Sequence, residues 1–438
     1  MEIPEGSKRE FIIEKGTVSD VKPVWISGSK NCLNHATSVM FLGGEDCVVE
    51  LRNVPAISDK RSNLRLLTDA GISHSSQGST VRSAGVPTMQ TLSRKPSRSL
   101  RVSICHLVAL AARTGSARGY LPGGDRFTRR PIDLHKKLVE SAGGRLVLGP
   151  DEGLSVLFPQ HPTAFDSSVS SSFGPSVGAT VTALLLAAAA KGTSVIRDAA
   201  QEPEVRTVVS LLRQLGVRID GESSENLRVV GRPDGLSGNA VAILPADISV
   251  AGTYMLLGLL HQTSVQMDNL RVSDFPLGAQ VVFDKLGIVF NSSGGDSLTV
   301  SLTETPRPVT LCTGPAPGFP SDLQPQLAAF LSQADGTSYV SEAVYEKRNS
   351  HVRELRRVGV SIREERGVQI IEGPQAVRKG MYYVDDIRSG AAGIIASSVA
   401  PGPVVFIDRK DHLGRGYPAL EESLRMLGVQ YRKYSPQR

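Results

Sequence analysis

One motif recurs along the whole chain and limits what it can fold into: a short amphipathic helix that ends in glycine and runs into a β-type stretch. It reads LRLLTDAGI around Gly71, HKKLVESAGGRLVL around Gly143 and VVSLLRQLGVRI around Gly216. It returns as VVFDKLGIVF around Gly287, VRELRRVGVSI around Gly359 and LEESLRMLGVQY around Gly428. The spacing, about 70 residues each time, exceeds a solenoid repeat and suffices for a complete α/β subdomain. Each glycine suits the position just past a helix end, where positive φ costs a residue without Cβ nothing. A second element recurs out of phase: an Ala-rich helix, a small-residue turn, then a strand. It appears as LLLAAAAKGTSVI at Gly192, AAFLSQADGTSYV at Gly336 and GIIASSVAPGPVVFI at Gly402, and more weakly as LVALAARTGSARGYL at Gly115. Alanine at successive interior turns lets helices approach closely, so these helices are predicted to be buried. A chain of 438 residues is too long for one ordinary core. The pattern therefore predicts two α/β domains of three units each, with sheets outside and helices within.

The net charge of +6 admits two readings, a nucleic-acid footprint or cations gathered around a small polyanion. Aromatics are only 5% of the chain and the basic residues are dispersed apart from Arg94–Arg101 and Arg126–Arg130, so a nucleic-acid partner is not expected. The longest apolar run, Ala183–Ala190, is too short to cross a bilayer. The N-terminal MEIPEGSKREF does not read as a signal peptide, which gives cytoplasm as the expected compartment. Cys32, Cys47, Cys105 and Cys312 lack CxxC spacing, and His135, His351 and His412 are far apart, so neither disulfide nor metal is expected.

Several segments, in matching order and separation, are similar to those of the enolpyruvyl transferases. They are SGSKN (Ser27–Asn31), LPGGDRFTRRPIDLH (Leu121–His135), SVGATVT (Ser176–Thr182), AAQEPEV (Ala199–Val205), GFPSDLQPQ (Gly318–Gln326), EAVYEKRNSHVRELRRVG (Glu342–Gly359), DDIRSGA (Asp385–Ala391) and GRGYPALEESLRMLG (Gly414–Gly428). The resemblance is strongest to UDP-N-acetylglucosamine enolpyruvyl transferases, and the shikimate enzymes are more distant. It implies an inside-out α/β barrel in each of two domains, residues 30–243 and residues 1–29 plus 244–438, with the N-terminal strand joining the C-terminal half.

Phosphoenolpyruvate, the donor that this resemblance implies, carries a phosphate and a carboxylate. A site for it needs fixed cations and must exclude water as it closes. Arginine suits the task because its planar fork binds either group bidentately. The matching positions are Lys30, Arg130 and Arg415 for the phosphate and Arg348 and Arg388 for the carboxylate, with Arg101 as a further cation. The implied reaction is addition followed by elimination, which needs a base near the acceptor hydroxyl and an acid near C3 of the enol. Asp322 matches the base and Asn31 the amide beside it; Asp322 also suits a helix N-terminal role after Pro320. Asp125 stands where the family usually has cysteine. A free carboxyl titrates near about 3.9 against about 8.5 for a thiol, so Asp125 must be raised by a dehydrated, closed site to hold a transferable proton, against the pull of Arg126, Arg129 and Arg130. A carboxylate is also a poorer target than a thiol for the alkylating drug fosfomycin, so insensitivity is expected.

For the acceptor, Arg130, Pro131, Ile132, Asp133 and Leu134 resemble the stretch that flanks uracil in the UDP-sugar members and that the shikimate enzymes lack. Pro131 and Asp133 also suit a helix N-terminus, and both roles can hold together. Ser176, Val177 and Gly178 match the segment against the nucleotide phosphates, and Ser321 and Val344 are the nucleotide positions of the second half. Three departures mark a specialised member. The lysine that usually precedes Ser176 by two positions is Gly174, the motif at Leu244–Tyr254 lacks its usual charges, and the small residues after SGSKN are Cys32, Leu33, Asn34 and His35. These changes lean towards UMP, modified at its ribose 3′-hydroxyl as in nucleoside-antibiotic pathways, with UDP-N-acetylglucosamine as the alternative and a non-catalytic sugar-nucleotide-binding paralogue as the rival class. No cofactor and no obligate protein partner are expected.

Overall fold

In the computed structural model, which describes residues 9–16, 22–125, 130–221, 224–292, 294–345 and 347–434, all six motif glycines have positive φ, from 68° at Gly71 to 92° at Gly359. They close the helices Ser58–Asp69, Asp133–Ser141, Pro203–Gln214, Leu277–Lys285, Ser350–Arg357 and Leu420–Met426. At Gly216 the glycine N–H reaches the Arg213 carbonyl at 2.9 Å and the next N–H, of Val217, reaches Leu212 at 3.0 Å. The left-handed residue thereby satisfies two carbonyls that the helix end leaves over and turns the chain into a strand. The same two-bond closure recurs at Gly71, Gly143 and Gly359.

Six sheets follow one plan: a parallel edge pair, then two antiparallel pairs, ending on the strand that follows the motif glycine. In residues 28–245 these run Leu236–Ile243, Gly43–Arg52, Thr80–Ala84, Ser73–Gln77, then Asp166–Ser168, Thr193–Arg197, Leu227–Val230, Arg218–Asp220. The third, Ser116–Tyr120, Gly153–Leu157, Arg145–Leu148, keeps its parallel edge only as a bridge between Thr91 and Arg118. In the remainder of the chain they run Val24–Trp25, Ser264–Asp268, Ser297–Leu302, Ile288–Ser292, then Thr310–Cys312, Gly336–Ser341, Val368–Gly373, Ile362–Glu365. The last is Gly380–Tyr383, Val404–Asp408, Arg9–Lys15, Val429–Lys433. Here the N-terminal strand supplies the place that a hairpin fills in the other five. The six-unit α/β architecture read from the motif is therefore the one observed.

The chain divides into two units, Gly28–Pro245 and Met1–Ser27 with Ala246–Arg438. Each has its own apolar core. Each core is built on three mutually packed helices: Lys30–Met40, Ser103–Thr114 and Val177–Ala189 in the first, Ile248–Gly258, Gln324–Leu331 and Ile387–Ser397 in the second. Gln324–Leu331 and Ile387–Ser397 are buried along their whole length. Glycine makes room for the latter, since a Cβ at Gly393 would lie 2.5 Å from the Tyr382 ring. Lys30–Met40 and Ile248–Gly258 share this inner place without the Ala-rich signature. The first buries Asn34, Thr37 and Ser38, of which Thr37 is satisfied by the Leu33 carbonyl at 2.8 Å, and the second runs into HQTS rather than a glycine turn. Among the described residues no helix is long and apolar enough to cross a membrane.

Candidate functional site

In the unit formed by residues 246–438 and the N-terminal strands, three of the candidate residues meet directly. Pro320 starts a short 3₁₀ turn, Ser321–Leu323, that leads into the buried helix Gln324–Leu331 and leaves Asp322 at its mouth. Each carboxylate oxygen of Asp322 takes one guanidinium: Arg348 Nη1 donates to Oδ1 at 2.8 Å and Arg388 Nη2 to Oδ2 at 2.7 Å. Both arginine side chains are only 5% exposed, against 30% for Asp322. Two almost fully buried cations thus share one accessible anion, and a guanidinium's planar fork of N–H donors is the kind of group a second carboxylate requires.

Local sequence explains how both arginines are held. Asp386 caps the helix Ile387–Ser397, its Oδ1 accepting from the N–H groups of Arg388 and Ser389 at 2.9 Å each, which fixes Arg388 in the first turn. Burial works against the Arg388 charge, but the Asp322 carboxylate overcomes it and holds the group above its ordinary pKa. Tyr417, two residues past Arg415, also bonds Arg388. Its hydroxyl lies 2.9 Å from Thr253 Oγ1, which bonds Gln326 in turn. Arg415 itself is half-buried on the short helix His412–Gly416, whose start is capped by Asp408. The guanidinium of Arg348 lies over the Tyr345 ring, 5.0 Å from its centroid.

Ser321 and Val344 converge on a residue with no role in the sequence reading, Glu342. Its carboxylate accepts from Ser321 Oγ at 2.7 Å and from Thr313 Oγ1, Val344 N and Tyr345 N at 2.9 Å each. The N–H of Val344 is therefore committed inside the protein.

In residues 28–245, the SGSKN segment opens an inner helix. Ser29 caps it, accepting from Cys32 N at 3.2 Å, and places half-buried Lys30 and Asn31 in the first turn, where the helix dipole favours an anion. Arg101, Asp125, Arg130 and Pro131 come together around the LPGG loop. Arg130 Nη2 donates to the Asp125 carbonyl and Arg101 Nη2 to the Pro131 carbonyl, both at 2.7 Å. Glycine is required there because a Cβ at Gly123 would fall 1.6 Å from the Arg98 carbonyl oxygen. Arg126 and Arg129 lie outside the described residues.

Asp133 opens the helix Asp133–Ser141 and Ile132 caps it, so Pro131 falls one position before the cap rather than at the first helical residue. Ser176 caps Val177–Ala189 through its hydroxyl, with Ala179 N at 3.3 Å. His135 joins the two segments: Nδ1 lies 2.8 Å from Thr182 Oγ1, and its ring is 3.4 Å from where a Cβ at Gly178 would stand. Burial lowers His106 and His135 to about 3, so both are neutral near pH 7 and the positive charge of this region comes from lysine and arginine. His35, next to Lys30, is likewise lowered to about 4 by burial. Among the described residues no group of three or more His, Cys, Asp or Glu could hold a metal ion.

Two units of three repeated subdomains, with helices inside and an acid braced by buried arginines, define an enolpyruvyl-transferase class of protein. A family model described as EPSP synthase (3-phosphoshikimate 1-carboxyvinyltransferase) matches residues 20–424, and the chain belongs to that family. It is 34% identical over 429 residues to UDP-N-acetylglucosamine 1-carboxyvinyltransferase 2 of Carboxydothermus hydrogenoformans, covering 97% of this chain and 99% of that protein. It is 32% identical over 418 residues to UDP-N-acetylglucosamine 1-carboxyvinyltransferase of a Psychrobacter species, covering 94% of each. Among solved structures, the enolpyruvyl transferase NikO from Streptomyces tendae shares its fold with a TM-score of 0.86 at 23% identity, over 98% of this chain and 100% of that one. EPSP synthase from Acinetobacter baumannii gives 0.74 at 16% identity, over 97% and 99%. The chain is an enolpyruvyl, or carboxyvinyl, transferase.

Proposed function

We propose that this enzyme transfers the enolpyruvyl group of phosphoenolpyruvate to a sugar hydroxyl of a uridine nucleotide, releasing phosphate. The observation that carries the reading is Asp322 held by Arg348 and Arg388, a base and two carboxylate-binding cations in one cluster. Arg348 and Arg388 bind the substrate carboxylate, sharing their remaining donors between it and Asp322. Lys30, Arg130 and Arg415 bind the phosphate, with Arg101 beside them. The acceptor oxygen bonds to C2 as its proton passes to Asp322, with Asn31 orienting the hydroxyl, while C3 gains a proton from Asp125. C3 then returns its proton to Asp125 as the C2–O bond to phosphate breaks, and the leaving phosphate takes up the proton held by Asp322, so the products are the enol ether and inorganic phosphate and both carboxyl groups are restored. Pro131, Ile132, Asp133 and Leu134 hold the uracil, and Ser176, Val177, Gly178, Ser321 and Val344 the remainder of the nucleotide. The domains we assign to these roles are residues 30–243 and residues 1–29 plus 244–438, and the expected compartment is the cytoplasm.

UMP is the acceptor we favour. Gly174, which stands where the family resemblance has a diphosphate-binding lysine, has φ of 96° as the first residue of the strand Gly174–Pro175, a conformation a lysine would adopt only with strain. UDP-N-acetylglucosamine is the second reading, favoured by relatives of that name at 30 to 34% identity over nearly the full chain. Offering both nucleotides together and weighing the products decides between them. A gain of one enolpyruvyl group on UMP alone is expected, and the same gain on UDP-N-acetylglucosamine alone supports the second reading.

A further inference from the structure

Glu342 lies where strand Gly336–Ser341 ends, and it bonds to four different donors, two hydroxyls and two peptide N–H groups. We infer that Glu342 is a positioning residue which, through Ser321, sets the direction in which Arg348 faces Asp322 and the substrate carboxylate.

The inference rests on the enolpyruvyl transfer proposed above and starts from hydrogen-bond direction. An ionised carboxylate only accepts, so the Ser321 proton must point to Glu342 Oε2. The Ser321 oxygen then presents only lone pairs to the other side, where Arg348 Nη1 donates to it at 2.8 Å. That same Nη1 donates to Asp322 Oδ1 at 2.8 Å. A relay of fixed polarity therefore runs from Glu342 through Ser321 to Arg348 and Asp322. A second arm acts on the same guanidinium: Glu342 Oε1 holds the N–H of Tyr345, whose ring lies against Arg348. Thr313 completes the cradle, donating to Oε1 and accepting from Ala343 N at 2.9 Å. Ser321 and Thr313 are both buried, so water is a poor substitute for the carboxylate.

Glu342→Gln tests this because it keeps shape while placing an NH₂ donor where one acceptor oxygen stood. With that donor towards Ser321, the serine proton is forced towards Arg348, two donors face one another, and the cation is displaced. The expected result is at least a tenfold rise in KM for phosphoenolpyruvate and at least a tenfold fall in kcat, with unfolding temperature near that of the parent. In a cycle with Ser321→Ala, the double variant is expected to be no slower than Ser321→Ala alone. A purely structural role would lower the unfolding temperature and leave both constants of the folded enzyme unchanged; that result overturns the inference, as does a double variant whose losses multiply. If Glu342→Gln does not fold, Glu342→Asp serves, keeping the charge on a shorter stem. A severalfold rise in KM is then expected, and unchanged KM and kcat overturn the proposal. Absence of turnover by the parent enzyme in the same assay contradicts the enzymatic reading and this inference with it.

Discussion

Asp322 shows how much a single carboxylate can be asked to do. Its two oxygens separately neutralise Arg348 and Arg388, each only 5% exposed. Asp322→Ala leaves both cations without that partner, and breaking buried pairs of this kind costs about 3 kcal/mol or more. We expect urea unfolding of Asp322→Ala to shift by roughly that amount and phosphate release to fall by about 10²- to 10⁴-fold, the usual worth of a positioned base. Wild-type stability together with wild-type turnover would remove Asp322 from the mechanism. Asp125 makes the opposite kind of claim, about what the residue is not. With a carboxylate in place of a thiol, the enzyme is expected to resist fosfomycin, whereas Asp125→Cys should be inactivated over time and gain one drug adduct by mass. Covalent labelling of Asp125 in the unaltered enzyme would contradict this.

At the scale of helices and strands, the six glycine-ended helices were legible because two physical signals coincide in each: an apolar stripe at helical period and a residue that tolerates φ near 80°. Gly143→Ala should lower stability by about 1–2 kcal/mol, since the new Cβ adopts left-handed backbone and meets Thr163 Oγ1 at 3.3 Å; an unchanged unfolding midpoint would show that the helix end relaxes freely. The inner helices were only partly legible. Alanine marks Val177–Ala189, but Lys30–Met40 carries no such mark: its buried Asn34 depends on a tertiary hydrogen bond, Nδ2 to Asp59 Oδ2 at 3.2 Å, that no local pattern announces. Burial also gives three helices, the inner Ser103–Thr114 and the glycine-ended Asp133–Ser141 and Ser350–Arg357, a pH response. It lowers His106 and His135 to about 3 and His351 to about 4, so they stay neutral in the fold while the unfolded chain takes up protons below about pH 6.5. Their contribution is complete above that pH and is lost as pH falls towards 4, by up to about 1.4 kcal/mol per pH unit for each histidine. Denaturant midpoints at pH 7.5 and pH 5.5 should therefore differ, with the acid value lower, and equal midpoints would refute the assignment.

For the molecule as a whole, the number of units follows from a repeat that can be counted in the sequence, whereas the joining of the N-terminal strand to the second half, seen in the last sheet, came only from the family resemblance. The candidate site was legible to a different degree. Asp322, Arg348 and Arg388 stand in segments that resemble known motifs, and the fold brings them into direct contact. Glu342 and Tyr417 stand in such segments too but drew no role, because a glutamate at a strand end and a tyrosine after a short helix are ordinary residues until tertiary structure surrounds them with Ser321, Thr313, Thr253 and Arg388. The identity of the nucleotide depends on a different kind of signal, the loss of a charge at Gly174. The central claim is that this chain moves the three-carbon unit of phosphoenolpyruvate onto a uridine nucleotide. Following inorganic phosphate from phosphoenolpyruvate with and without nucleotide tests it most directly. The account expects one phosphate per nucleotide consumed and none when the nucleotide is omitted. No phosphate from folded enzyme with either UMP or UDP-N-acetylglucosamine would contradict it.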